Sequence, residues 1–322
     1  MRVLITGSRG YIGSTLAKTF TEIGVIPVGV DRDMRANGSN IYGMYYPASF
    51  EDESVADLVY ELKIDTICHL AADASVPDSV KRPSKYYQNN VAATIQLLDN
   101  LVKRNWTGKF IFSSSAAVYA DSGRLSSESD VPAPCNPYGT TKLMNEQTLR
   151  DYYNAYGISI VCFRYFNVAG GWGDVGDHYF AEHVIQKLCR SAITGEEFTI
   201  FSDKKNTPDG TCIRDYLHVR DVCDAHVHAI NYLDKNPGFH IYNLGTNKGT
   251  SIKQLIAQFI TTTGMNLQFA TGDPRPGDPD FLVADGHRFV CDTGYTYKHS
   301  DLDNIIASAI EYTKTKKRNY GF

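Results

Sequence analysis

The sequence predicts an α/β fold, a doubly wound parallel sheet with a smaller C-terminal α/β region beside it. Three observations lead there. Through the first half, apolar runs of strand length alternate with segments of helical period. A glycine-rich turn at residues 7–13 separates the first strand from the first helix. After Asn167 the alternation loosens, and loops richer in Gly, Asp and Tyr take over.

Taken in order, strands are expected at residues 3–6 and 26–30, with a helix at 12–23 between them. A helix at 55–62 precedes a buried strand at 66–70. A long helix at 84–103 leads to a strand at 109–112. Tyr138 falls near the start of the next helix, and a strand follows at 158–163. Strands alternating with helices give a parallel sheet covered on both faces, which binds its ligands beyond the strand C-termini at the switch point. Later the alternation partly returns, with a helix at 221–233, a strand at 239–244 and a helix at 251–262. Residues 1–167 therefore read as a dinucleotide-binding domain, to which residues 219–250 return. Residues 168–322 read mainly as a substrate-binding region.

The chain of 322 residues is long enough for one large or two small domains. Its formal charge of −4 gives no basic footprint, which argues against nucleic acid and anionic membranes as partners. No apolar run approaches membrane-spanning length, and the first residues lead straight into a strand pattern without the look of a leader. The seven cysteines are scattered and form no CxxC pair, as expected of free thiols in a reducing cytoplasm with no metal site.

The glycine turn carries the first chemistry. Gly7 and Gly10 let the backbone approach a pyrophosphate, and Gly13 lets helix and strand pack closely. The helix N-terminus then offers free N–H groups and partial positive charge to phosphates. Asp31 ends the second strand, where a carboxylate accepts hydrogen bonds from adenosine ribose hydroxyls and repels a 2′-phosphate, favouring NAD over NADP. Arg32 beside it can instead pair with a 2′-phosphate. This is the pattern of a Rossmann-type sheet.

A second constellation is Tyr138-Gly139-Thr140-Thr141-Lys142, with Ser115 upstream. A tyrosine and a lysine four apart on a helix share one face. A phenol reaches its anion near pH 7 only with roughly 4 kcal/mol of help. A cation about 5 Å away at an effective dielectric of about 20 supplies something like 3 kcal/mol. Lys142 is positioned to be that cation, and an oxidised nicotinamide would be a second.

With these residues in place, the chain resembles the extended short-chain dehydrogenase/reductase family and, within it, the UDP-hexose 4-epimerases. The specific stretches are Lys85-Tyr86-Tyr87-Gln88-Asn89-Asn90-Val91, Phe112-Ser113-Ser114-Ser115-Ala116-Ala117-Val118-Tyr119, Arg164-Tyr165-Phe166-Asn167 and the long run from Thr207 through Arg214-Asp215-Tyr216-Leu217-His218-Val219. The resemblance implies a homodimer that interconverts UDP-glucose and UDP-galactose on bound NAD through a 4-keto sugar. It makes Tyr138 the proton acceptor, Lys142 the residue that holds the nicotinamide ribose and tunes the phenol, and Ser115 the partner of the sugar O4. It assigns Tyr11, Ile12, Leu70, Ala71, Ala72, Asn89, Ser113 and Tyr165 to the cofactor beside the glycines and Asp31. It assigns Asn167, His183, Arg214, Tyr216, Arg275, Asp278 and Leu282 to the sugar nucleotide.

These roles suit the residue types. Arginine presents a planar fork to phosphates, and an ionised aspartate accepts from ribose hydroxyls. A bridge from Arg214 to Asp215 is the alternative for that arginine, although strand neighbours point to opposite faces. For Asp278 the alternative is a turn residue after Gly277. In the helices at 84–103 and 138–156, which pair in family dimers, Leu97, Leu98 and Leu101 fit an interface or the core equally.

Three positions depart from the family pattern. Ala74 stands where a lysine is usual and Ser49 where an aspartate contacts adenine, so cofactor retention is expected to be weaker. Leu282 replaces a tyrosine that narrows the sugar pocket, which opens UDP-GlcNAc/UDP-GalNAc interconversion as an alternative activity. A 4,6-dehydratase needs Asp-Glu after the hydroxyl residue, and here Ala116-Ala117 fill those places. A net dehydrogenase would release NADH, and an idle NAD-binding regulator would have lost the Tyr-Lys-Ser set.

Overall fold

Apolar side chains on both faces of the central strands dictate a sheet buried on both sides. The computed structural model describes residues 1–32, 42–202, 204–274 and 278–320. Its first half alternates strands β1 (Val3–Thr6), β2 (Val28–Asp31), β3 (Met44–Pro47), β4 (Thr66–His69), β5 (Lys109–Ser115) and β6 (Ser159–Tyr165) with helices α1 (Tyr11–Glu22), α2 (Glu53–Glu61), α3 (Val76–Lys81), α4 (Pro83–Tyr86), α5 (Ala93–Val102) and α6 (Pro137–Tyr156). Then come β7 (Asn167–Ala169), β8 (Gly171–Trp172), β9 (Val175–Gly176), α7 (Val184–Thr194), β10 (Phe198–Phe201), β11 (Ile213–Arg214) and β12 (Tyr216–His218). The chain closes with α8 (Val219–Leu233), β13 (Phe239–Leu244), β14 (Thr250–Ser251), α9 (Ile252–Thr263), β15 (Phe269–Gly272), β16 (Phe281–Leu282), α10 (His287–Thr293) and α11 (Leu302–Tyr320).

Seven strands form one sheet in the order β13-β6-β5-β4-β1-β2-β3, each neighbouring pair parallel. The order reverses between β1 and β4, so the crevice lies at the C-terminal ends of those two strands. Val3 and Ile5 enter one buried layer with Leu16 and Phe20 of α1 and Val222 and Ile230 of α8. Leu4, between them, enters the opposite layer with Val55 of α2 and Leu97, Leu98 and Leu101 of α5. Those three leucines are therefore core residues. A third cluster joins α7, α9 and α11 through Leu188, Leu255, Ile256 and Ile305, and Tyr216 packs into it. No helix among the described residues is long and apolar enough to cross a membrane.

The departures from expectation are local. The expected continuous helix at 84–103 is α4 and α5 joined by a π-helical turn, Tyr87–Ala92. Strands β5 and β6 run further than their apolar runs, to Ser115 and Tyr165. The sequence reading did not anticipate strand β3 or helices α3, α7 and α11, although α7 carries a clear apolar face of Ile185, Leu188 and Cys189.

Candidate active site

The glycine turn closes on the crevice. Gly7 has φ +70°, and a Cβ there would meet the Ala71 backbone at 2.8 Å. The β1–α1 turn thus lies directly against Leu70 and Ala71 after β4. A Cβ on Gly13 would lie 2.0 Å from the Gly7 carbonyl oxygen, so the close packing expected of that glycine is present. Helix α1 starts without a side-chain cap and without an acidic residue in its first turn. Its first amides and partial positive charge suit a phosphate. The Asp31 carboxylate accepts from the Arg9 backbone N–H at 3.0 Å, which holds it at the lip of the turn beside exposed Arg32. Ile12 packs against the core under this turn, and the Tyr11 hydroxyl donates to the Gly170 carbonyl at 2.6 Å. A backbone cradle that no side chain could enter fits a dinucleotide pyrophosphate.

Helix α6 brings the tyrosine and lysine to the end of β5. Asn136 caps it by accepting from the Gly139 N–H at 2.9 Å, and Pro137 occupies its first turn. A Cβ on Gly139 would lie 2.1 Å from the Ala117 carbonyl oxygen, so only glycine lets the helix start press against the loop after Ser115. Lys142 is 2% exposed and donates to the Ser113 carbonyl at 2.6 Å. Its ammonium stands 5.7 Å from the Tyr138 ring centre. Ser115 caps a short turn by accepting from the Ala117 N–H at 3.1 Å, and its hydroxyl lies against the phenol. The Tyr165 hydroxyl pairs with His226 Nε2 at 2.7 Å.

The electrostatics correct one expectation. Burial raises the Tyr138 phenol above its ordinary value, and the Ser115 hydroxyl recovers only part of the shift. Burial also draws Lys142 down to about 7, against the pull of Glu146. The protein by itself does not deliver the depressed phenol that the Tyr–Lys spacing suggested. Desolvation disfavours charge on both groups more than Ser115 and Glu146 repay it.

Asn90, next to the expected Asn89, does more visible work. Its side chain accepts from the Asp73 N–H at 2.8 Å and donates to the Asp73 carbonyl at 2.9 Å. Asn145 of α6 then donates to the Asn90 carbonyl at 2.6 Å. This ties the loop after β4 to the helix bearing Tyr138. Asn89 is half-buried and donates to the Asn90 side chain at 3.1 Å. Ala74 is exposed at the far end of that loop, and Ser49 follows β3.

A second group of residues gathers around β11. Arg214, 8% exposed, donates to the Asp278 carboxylate and to the Pro279 carbonyl. The alternative partner, Asp215, faces away and accepts from Thr246, Asn247 and Ala284. Asp278 is therefore held by Arg214 rather than standing as a bare turn residue. Lys205, which sequence reasoning missed, donates to the Asp278 carbonyl at 2.6 Å. Leu282 lies in register with Arg214, and Tyr216 with Asn167. The buried Tyr216 hydroxyl has no hydrogen-bond partner, an acceptor or donor held ready for a polar ligand. His183 heads α7 and pairs with Asp177 at 2.7 Å. Desolvation pulls this imidazole down, but the Asp177 carboxylate more than offsets it and raises it above its ordinary range. Arg275 lies outside the described residues.

Residues 3–245 match the family described as NAD dependent epimerase/dehydratase. A UDP-glucose 4-epimerase of Lactobacillus helveticus is 37% identical over 328 residues, covering 99% of each chain. The crystal structure of UDP-glucose-4-epimerase from Stenotrophomonas maltophila, with bound NAD and formylated UDP-arabinopyranose, matches at a TM-score of 0.93 and 31% identity over 99% of both chains. The UDP-Glc/GlcNAc 4-epimerase of Campylobacter jejuni matches at a TM-score of 0.82 and 32% identity, over 98% of this chain and 99% of that one.

Proposed function

The chain belongs to the UDP-glucose 4-epimerase family, within the NAD dependent epimerase/dehydratase family, and from that premise we propose that it interconverts UDP-glucose and UDP-galactose on bound NAD. One observation carries the reading. Tyr138 and Lys142 lie on the inner face of α6 against Ser113 and Ser115, on the same sheet edge as a glycine cradle that excludes side chains.

The residues divide the work by chemistry. The α1 N-terminus and its glycine turn hold the pyrophosphate, and Asp31 the adenosine ribose. NAD held there would supply a reversible hydride acceptor for the sugar C4. Tyr138, as its phenolate, takes the proton of the C4 hydroxyl and later returns one, and it needs positive charge beyond that of buried Lys142 to reach that state. Ser115 holds O4 and steadies the charge that develops there. Lys142, anchored on the Ser113 carbonyl, supplies positive charge beside the phenol. Arg214, Tyr216 and Asn167 grip the UDP end, so that the 4-keto hexose can turn while its anchor stays put. Ala116 and Ala117 leave no acid or base for dehydration. Incubation with UDP-galactose should yield UDP-glucose with no net NADH absorbance; accumulating NADH would sink the reading.

Leu282 favours a second activity. It is only partly buried, sits in register with Arg214, and fills less space than a tyrosine. We infer that the pocket also accepts a 2-acetamido group, so UDP-GlcNAc and UDP-GalNAc are interconverted. Chromatography of both sugar pairs checks this, and an inert N-acetylated pair would reject it. We further propose a homodimer through the outer faces of α5 and α6, where Ile95 and Met144 are exposed, and a cytoplasmic location consistent with seven free thiols. Sedimentation and cell fractionation test these two points.

A further inference from the structure

Beneath the Tyr138–Lys142 pair lies a buried charge pair that the reaction just described does not use. Glu146 follows Lys142 by one turn of α6, and the two are 3% and 2% exposed. Arg164 of β6 clamps both Glu146 oxygens, Nε to Oε1 at 2.9 Å and Nη2 to Oε2 at 2.6 Å. Ser114 donates to the same Oε1 at 2.5 Å.

Ser114 stands between Ser113, which anchors Lys142, and Ser115, which lies by the phenol. Alternation along a strand turns Ser114 away from the reacting side and toward Glu146. The network runs on from Arg164. Its Nη1 donates to the Tyr119 hydroxyl at 2.7 Å, which donates to Asn243 Oδ1 at 2.7 Å. Asn243 in turn donates to the carbonyls of Ser126 at 2.8 Å and Asp285 at 3.2 Å. Ser126 pairs with Ala284, close to Leu282. One chain of contacts therefore links the catalytic helix to the strand beside the sugar pocket. A buried ion pair adds little net stability over an apolar core of the same volume, so stability alone does not account for it.

Taking Tyr138 and Lys142 as the reacting pair, a reading on which this rests, we propose that Glu146 is their positioning residue. Its negative charge serves the Lys142 ammonium from one turn away. Its bonds to Ser114 and Arg164 hold α6 against β5 and β6, so that Tyr138 and Ser115 meet the same hydroxyl.

Lys142 is faced by Tyr138 and Glu146 on α6, by His69 on β4 and, beyond Glu146, by Arg164 and Cys162 on β6. Tyr165 of β6 lies near Tyr138. Burial, aided by Lys142, takes His69 down to about 3, and burial keeps Cys162 and Tyr165 protonated. The carboxylate of Glu146 is thus the negative charge that favours the lysine cation.

The test is the pH profile of kcat with UDP-galactose. Glu146→Gln removes the anion and leaves the Arg164 cation, so the alkaline limb should move to lower pH by about one unit. At neutral pH its kcat should fall about tenfold or more while KM stays within about twofold. Arg164→Met leaves the carboxylate unneutralised, and the limb should move the opposite way. Limbs that stay fixed, or that move together, overturn the proposal, because a purely structural role predicts no opposed shifts. If neither charge variant keeps a native thermal midpoint, Ser114→Ala cuts the α6–β5 bond without uncovering a charge. It should lose kcat severalfold at an unmoved limb and full NAD content, and unaltered kcat there overturns the proposal. Tyr138→Phe, run in parallel, separates the two readings. Full turnover in that variant removes the reaction assignment. A dead Tyr138→Phe with an unshifted Glu146→Gln profile removes only the role of Glu146.

Discussion

Tyr138 and Lys142 are each held toward neutrality by burial, one phenol raised and one ammonium lowered to about 7. In the proposed reaction, proton transfer at the sugar hydroxyl falls to the Tyr138 phenol, which the Ser115 hydroxyl touches. Tyr138→Phe should lower turnover by roughly 10²- to 10⁴-fold while the protein still binds NAD and UDP. Turnover kinetics beside equilibrium binding would show it, and wild-type turnover would mean that the base lies elsewhere. The effect proposed for Leu282 is one of volume and not of charge. Leu282→Tyr should depress conversion of the N-acetylated sugars by about tenfold or more and spare UDP-galactose, a contrast read from paired kcat/KM values. Equal losses on both pairs would argue against a role in selection. The Tyr–Lys spacing was legible because a helix places four-apart residues together. The sense of their pKa shifts was not, because desolvation depends on what covers them.

Among the elements, the β1–α1 turn depends most on one missing atom. Gly13→Ala would set a Cβ on the Gly7 oxygen, so the helix must back away from the strand. A loss of about 1–3 kcal/mol and of most bound NAD is expected. Thermal unfolding and the NAD content of the purified variant measure both, and undiminished NAD would show that the turn tolerates the shift. The strands and helices of the first half could be read because their apolar periods are clean. Their ends could not. Strand β6 continues past its apolar run because Glu146 neutralises Arg164, and β5 continues because Ser113, Ser114 and Ser115 pair with Phe163, Arg164 and Tyr165. Tertiary partners there overrule local propensity. The π-helical turn, Tyr87–Ala92, has no period of its own, yet it sets Asn90 onto the loop after β4. Glu146 lay within reach of the same four-residue spacing that revealed Lys142.

Across the whole molecule, buried imidazoles give acid sensitivity a definite sign. Burial lowers His69 to about 3 and His218 and His226 to about 4. An unfolded histidine ionises near 6.5, so below that pH the unfolded chain holds protons that the folded one refuses. Stability therefore falls as pH drops from about 6.5 toward 4, by up to about 1.4 kcal/mol per unit for each such group. Asp215, raised to about 6 by burial, works the other way between 3.8 and 6, as do the raised Glu128, Asp224 and His183 each in its own range, against three strongly lowered imidazoles. The thermal midpoint should drop by several degrees or more between about pH 7 and pH 5. A level midpoint over that interval would contradict the assignment of neutral buried histidines. The fold class was legible at this scale because alternation is a long-range signal. The C-terminal region was less so, since its strands are two to four residues long and its cluster around α7, α9 and α11 is assembled from distant segments.

Strand β6 ends at Tyr165, yet its outer neighbour β13 begins only at Phe239, after α8 has crossed the opposite layer. During synthesis the ribosome must therefore release the first six strands long before the seventh can dock. For that interval a raw hydrogen-bonding border and a greasy underside stand open to strangers. Severing the gene after codon 167 would make that interval permanent, leaving a fragment prone to clump instead of a free-standing nucleotide carrier.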